Sequence, residues 1–210
     1  MVQFGEKLSF SQKKFFKLEG KGDKLRFRIL GAPFIEGKHF FENPDGTWDI
    51  QPCLRINEKK QCEHCEKFFS ILAKAKKTGD KTLIEQAKKE AQPWQARIFV
   101  YYPIIDRLEA EFKIFQTTVG VRTKIEAEHD MGNNVLKSDF IVMRTEQPGA
   151  SYYSLSKVDS ADSTPLLLGE EEIIEAYKTM DLSELVGGSK DEDGGVAIDA
   201  NSEVRDDIDF

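Results

Sequence analysis

HFFENPDGTWDIQPCLRINEKKQCEHC, residues 39–65, decides how the chain is read. All three cysteines of the protein lie in it, Cys53, Cys62 and Cys65, together with His39 and His64. A Cys-x-x-Cys pair bends back on itself and offers two thiolates to one ion. A third Cys and a His complete a tetrahedral Cys3His set, the usual shell of structural zinc. His39 is the favoured fourth ligand, because His64 sits inside the pair and would have to fold back over its neighbours. Two other readings stand beside this one: reduced cysteines with no metal, and a redox Cys-x-x-Cys. The redox pair would not need Cys53, and the strand–helix setting of a thioredoxin-like site is not evident. One structural zinc per chain is the expectation.

Working outward, Asn43-Pro44-Asp45-Gly46 is a turn signal. It joins a strand over 34–41 to a strand over 47–54, which puts His39 and Cys53 on one hairpin. Upstream, Lys24 to Leu30 alternates, with Leu25, Phe27 and Ile29 on one face and Arg26 and Arg28 on the other. That is a half-buried strand with a cationic outer face. Downstream, Cys65 opens a helix carrying Phe68, Phe69, Leu72 and Ala75. Thr78-Gly79-Asp80 breaks it, and a second helix runs over 81–91. The lysines of both helices read as a solvated face. Trp94 to Tyr102 reads as a strand with Arg97, Phe99 and Tyr101 outward, 103–107 as a turn and 110–115 as its partner strand. Residues 117–128 read as helical, 140–143 as the last clear strand and 170–185 as a closing helix.

With 210 residues and 40% hydrophobic content the chain can bury one substantial core. No apolar run approaches a membrane span, the first ten residues lack a signal-peptide pattern, and the cysteine usage suits a reducing cytoplasm. The net charge of -7 is unevenly divided. Residues 1–100 hold 20 Lys/Arg against 13 Asp/Glu, residues 101–186 hold 8 against 16, and residues 187–210 hold 2 against 8. The first part is a candidate polyanion binder and the end an acidic segment.

The expected organisation is a flexible arm (1–22), a core (23–186) with a metal-binding subdomain at about 39–92, and a disordered acidic tail (187–210). The expected fold is mainly β (α+β), an OB-like five-stranded barrel with the metal hairpin and helices inserted. Such a barrel binds single strands through cations on the phosphates and rings under the bases. Arg26, Arg28, Arg55, Arg97 and Lys113 are the candidate cations; Trp48, Phe99, Tyr101, Tyr152 and Tyr153 are the candidate rings.

In this pattern the chain resembles the single-stranded DNA-binding (helix-destabilising) proteins of T-even-like bacteriophages. The resemblance rests on 24–30, on His39, Gly46-Thr47-Trp48, Cys53, Cys62 and Cys65 in that order and spacing, on Trp94 through Pro103, and on 149–157. It implies a zinc-containing OB-fold protein that coats unpaired DNA in replication, recombination and repair inside an infected bacterial cell. Ser11-Gln12-Lys13-Lys14 departs from the family's basic N-terminal motif, so cooperative binding is not implied. The ending Asp206-Asp207-Ile208-Asp209-Phe210 is closer to the acidic tip of bacterial single-strand binding proteins, a hook for partner proteins. The rival class is a zinc-ribbon protein-interaction adaptor that binds no nucleic acid. No Ser/His/Asp set, P-loop or carboxylate pair suggests an enzyme, so a non-enzymatic role is expected.

Overall fold

The computed structural model describes residues 15–16, 18, 20–145, 153–158, 165–166 and 169–187. The protein is a mixed α+β chain built on an open eight-stranded sheet with helices around it. Its backbone path runs β1 (Phe15–Phe16), β2 (Lys24–Ile29), β3 (Phe34–Glu42), β4 (Trp48–Pro52), α1 (Leu54–Asn57), α2 (Glu63–Lys76) and α3 (Lys81–Ala91). A 3-10 turn follows over Gln92–Trp94. Then come β5 (Arg97–Asp106), β6 (Glu111–Thr117), α4 (Val119–Asp130), β7 (Asp139–Arg144), β8 (Tyr153–Lys157), α5 (Glu170–Tyr177) and α6 (Leu182–Gly187). The strand order is β1-β6-β5-β2-β7-β8, with β3 paired to β4 and β5. No helix among the described residues is long and apolar enough to cross a membrane.

Two compact units result. One contains the described residues up to Ile35 and Phe99–Val186; the other is built on Glu36–Ile98. Residues 188–210 of the expected tail, including Asp206 to Phe210, and most of the N-terminal arm lie outside the described residues.

The first unit is organised on β2, β5, β6, β7 and β8. Leu25, Phe27 and Ile29 turn inward as their alternation requires. The Phe27 ring lies 5.4 Å from Phe115 and 6.0 Å from Phe140. All three are fully buried, each contributing about 1.5–3 kcal/mol of apolar burial. β5 is buried without interruption from Val100 to Asp106, on both faces. That is the pattern of a central strand, and it corrects two expectations. Of the expected turn over 103–107, residues 103–106 are strand: Pro103 gives up only its N–H, its carbonyl accepts from Leu30 N at 2.9 Å, and the strand runs on to Asp106. Nor does Tyr101 point to solvent. It is buried, in edge contact with Phe15 and tilted against Phe34.

The true β5–β6 turn follows Asp106. Its carboxylate accepts from the Leu108 and Glu109 amides, and Ala110 takes a positive φ of 53°. The single closing helix expected over 170–185 is two helices. Asp181 accepts from both the amide and the hydroxyl of Ser183, a local cap that starts α6 afresh.

On the Arg26–Arg28 face of β2 lies a buried charge hub. Asp139 accepts from Arg26 at 3.1 and 3.0 Å, from Arg28 at 3.1 and 3.0 Å, and from Arg107 at 2.8 Å. Arg107 also pairs with the buried Glu170 at the start of α5. Two of the cations expected to face DNA are therefore buried in ion pairs. Arg28 is held by Asp139, and Lys113 by Asp106 and Glu109 at 2.6 and 2.5 Å.

Candidate functional site

β3 and β4 form the hairpin that the Asn43–Gly46 turn demands. Asn43 N donates to Thr47 O, and Gly46 sits at φ 81°, where a side chain would be strained. The register pairs His39 with Gln51, Phe41 with Asp49, Phe40 with Ile50 and Glu42 with Trp48. Because side chains alternate across a strand, the hairpin has two distinct faces.

The first face holds the candidate metal-ligating set. Residues His39, Cys53, Cys62 and Cys65 are all buried, and their donor atoms lie within 4.8 Å of one another. Cys53 Sγ is 3.4 Å from Cys65 Sγ; His39 Nε2 is 3.3 Å from Cys62 Sγ and 3.7 Å from Cys65 Sγ. Cys53 stands at the N-cap of α1, Cys62 at the N-cap of α2, and Cys65 in the first turn of α2. Helix N-termini favour the thiolate. Ile56, Phe69 and Ala96 close an apolar shell around the sulfurs.

The sequence left open which histidine is the ligand, and the hydrogen bonds separate the two. His39 Nδ1 donates to the Trp94 carbonyl at 3.1 Å, leaving the Nε2 lone pair aimed at the cysteines. His64 Nε2 instead meets Gln51 Oε1 at 2.8 Å, and its ring stacks on Trp94 and leans on Phe41. Lys67 Nζ lies 3.5 Å over the other partner of that stack, the Trp94 ring.

Without a cation the site does not favour Cys65 as a thiolate. Burial pushes the Cys65 thiol up, as do the bond and charge of Cys53 and the charge of Cys62. Burial also works against the Cys62 thiolate. It is outweighed by the amide and thiol of Cys65 and the amides of His64 and Arg55, and the net shift is downward. Burial, then the charge of His64, lowers His39 against the Trp94 bond, so the neutral ligating form is favoured. One metal ion among these four donors would replace mutual thiolate repulsion by attraction.

Three supporting residues were not picked out in the sequence reading. Asn57 grips β3 from α1: Gly37 N donates to its Oδ1 at 2.7 Å, and its Nδ2 donates to Gly37 O at 3.1 Å. Cys53 N donates to the same carbonyl at 2.8 Å. Gly37 permits the approach, since a Cβ there would meet Ile56 Cδ1 at 2.6 Å and Cys53 Cβ at 3.0 Å. A glycine inside a strand pattern was the available signal; Asn57 and Gln51 carried none.

The opposite face of the hairpin is quite different. Trp48 and Ile50 are 47% and 49% exposed, and the Arg97 guanidinium lies 4.9 Å over the ring of the buried Phe40. Of the expected DNA contacts, Trp48 and Arg97 thus share this face. Arg55 is exposed on α1, its guanidinium 4.6 Å over the Phe69 ring. The others are distributed elsewhere. Arg26 lies on the outer face of β2. Phe99 is half-buried against the Tyr101, Ile114 and Val186 cluster. Tyr153, a candidate ring for the bases, is buried on the inner face of β8. Tyr152 lies outside the described residues.

No family model matches the chain, and no curated protein matches it.

Proposed function

We propose that the protein is a zinc-containing single-stranded DNA-binding protein with a binding role and no catalytic one. Zinc is the ion the donor set suits best, three soft thiolates and one imidazole with no carboxylate. A tetrahedron with Zn–S of about 2.3 Å and Zn–N of about 2.0–2.1 Å has S···S edges near 3.8 Å and S···N edges near 3.5 Å. The Cys53–Cys65 separation of 3.4 Å and the His39 separations of 3.3 and 3.7 Å lie close to those edges. Four protein donors fill the shell, so the metal's role is structural.

The observation that carries the DNA reading is the hairpin face opposite the metal. An exposed Trp48 and Ile50 stand beside Arg97 on Phe40, so ring, apolar surface and cation occur together on a face braced from behind. Single strands are held by that combination without sequence choice. The excess of Lys/Arg over Asp/Glu in residues 1–100, 20 against 13, supports a polyanionic partner. The OB-type barrel belongs to this proposal as its finer fold reading, supported by β5 pairing with β2, β3 and β6. Recruitment of replication and recombination proteins through Asp206 to Phe210 enters on the sequence alone.

The test is fluorescence titration with poly(dT). Tryptophan emission should quench at low salt and recover as NaCl displaces the DNA. Trp48→Phe should remove most of the quench, and Trp48→Ala should weaken binding by about 1–3 kcal/mol. Absence of quenching and of any mobility shift at low salt would leave the protein-interaction adaptor as the better reading.

A further inference from the structure

The outer face of the β2–β7–β8 sheet, in the first unit, carries a pattern that the hairpin does not explain. The register aligns Lys24 with Met143 and Met143 with Ser154. One step along, it aligns Arg26 with Ile141 and Ile141 with Ser156. Each row therefore reads cation, apolar side chain, hydroxyl. The two rows are two residues apart on every strand, about 6.8 Å. Ile141 and Met143 are 38% and 40% exposed, on a middle strand where an ordinary solvent face would be polar.

The cations of this face are available. Arg26 uses Nε and Nη2 on Asp139, and its Nη1 has no protein partner among the described residues. Asp139 is shared with Arg28 and Arg107, so its single charge is divided among three guanidiniums. Of the three, Arg26 alone reaches solvent appreciably, with 38% of its side chain exposed. Lys24 is exposed and makes no ion pair among the described residues.

We propose that this face is a second contact surface for single-stranded DNA, one nucleotide to a row. This rests on the DNA-binding reading above. Phosphates lie along Lys24 and Arg26, unpaired bases lie on Met143 and Ile141, and Ser154 and Ser156 meet backbone oxygens. The repetition of the row fits a polymer that alternates anion and flat ring. A duplex hides those rings in its stack, so the surface discriminates against double strands. Thioether contact with an aromatic ring is a favourable use of Met143.

The experiment uses the full chain with Lys24→Gln and Met143→Asp as separate variants, both at exposed positions, with oligo(dT) as the probe. Each should weaken binding about tenfold at low salt, with the melting temperature unchanged. Lys24→Gln should also reduce the slope of log affinity against log salt by about 1. Oligo(dT) should protect Lys24 from acetylation in the wild type. If oligo(dT) quenches Trp48 but both variants bind as tightly as wild type, this surface is refuted while the hairpin reading stands. If wild type does not bind oligo(dT), both fall. If the variants change the sedimentation coefficient and leave DNA affinity alone, the face joins two copies of the chain and the proposal is wrong.

Discussion

Replacing Gly37 by alanine tests how tightly backbone packing and metal binding are tied. The new Cβ would meet Ile56 Cδ1 at 2.6 Å, Ile56 Cβ at 2.8 Å and Cys53 Cβ at 3.0 Å. Ordinary contact begins near 3.4 Å, so the tightest neighbour must retreat by about 0.8 Å. The Ile56 terminus can rotate away, but its Cβ and that of Cys53 move only with α1. Three hydrogen bonds resist the shift, two between Asn57 and Gly37 and one from Cys53 N. Overpacking of this kind costs about 1–3 kcal/mol. Metal distances tolerate only about 0.2 Å, so the strain falls on the Cys53 sulfur. At 1.4 kcal/mol per factor of ten, metal affinity should drop by roughly 5- to 150-fold. Competition with a chromogenic chelator measures it directly. Wild-type affinity with an unchanged melting temperature would show that α1 floats free of β3, and the packing argument would collapse.

Three further outcomes follow from particular contacts. Asp139→Ala leaves buried Arg28 and Arg107 without their shared carboxylate and should cost about 3–5 kcal/mol in denaturant unfolding; a loss below 1 kcal/mol would mean the hub is solvated. His39→Ala should abolish stoichiometric metal binding while His64→Ala retains it, read by metal analysis after dialysis. In metal-free protein His39 also sets a pH dependence. Its folded pKa is depressed, so its contribution is fully present above the unfolded value of about 6.5 and is lost as the pH falls through the folded one. His39→Gln should flatten that acid limb, and an unaltered pH profile would remove His39 as its source.

Much of the metal unit was legible because its signals are local. Cysteine spacing, the Asn43–Gly46 turn and the Thr78–Asp80 break each act over a few residues, and the four candidate ligands converge as expected. The strand faces of the other unit were harder. Alternation assumes one wet face, and β5 has none from Val100 onward, so Tyr101 was read outward when it is core. Arg28 looks like a surface cation because its counter-charge lies far away in the sequence, whereas Lys113 is buried across the β5–β6 turn by the nearby Asp106 and Glu109. Asp139 is 111 residues from Arg28, and no periodicity connects such a pair. Pro103 was read as punctuation, yet a strand tolerates it where only the missing N–H is forgone.

The two-faced hairpin makes parity a constraint on how this chain can change. His39 and Phe41 look toward the sulfurs, while Phe40, Trp48 and Ile50 look away. Inserting or deleting one residue within β3 would exchange the two sets, offering the metal a phenylalanine and the solvent an imidazole. Length can vary freely only at the Asn43–Thr47 tip, or inside the strands in steps of two. An ion bound there would work as a proofreader of register, because only one phase of the alternation presents an imidazole to it.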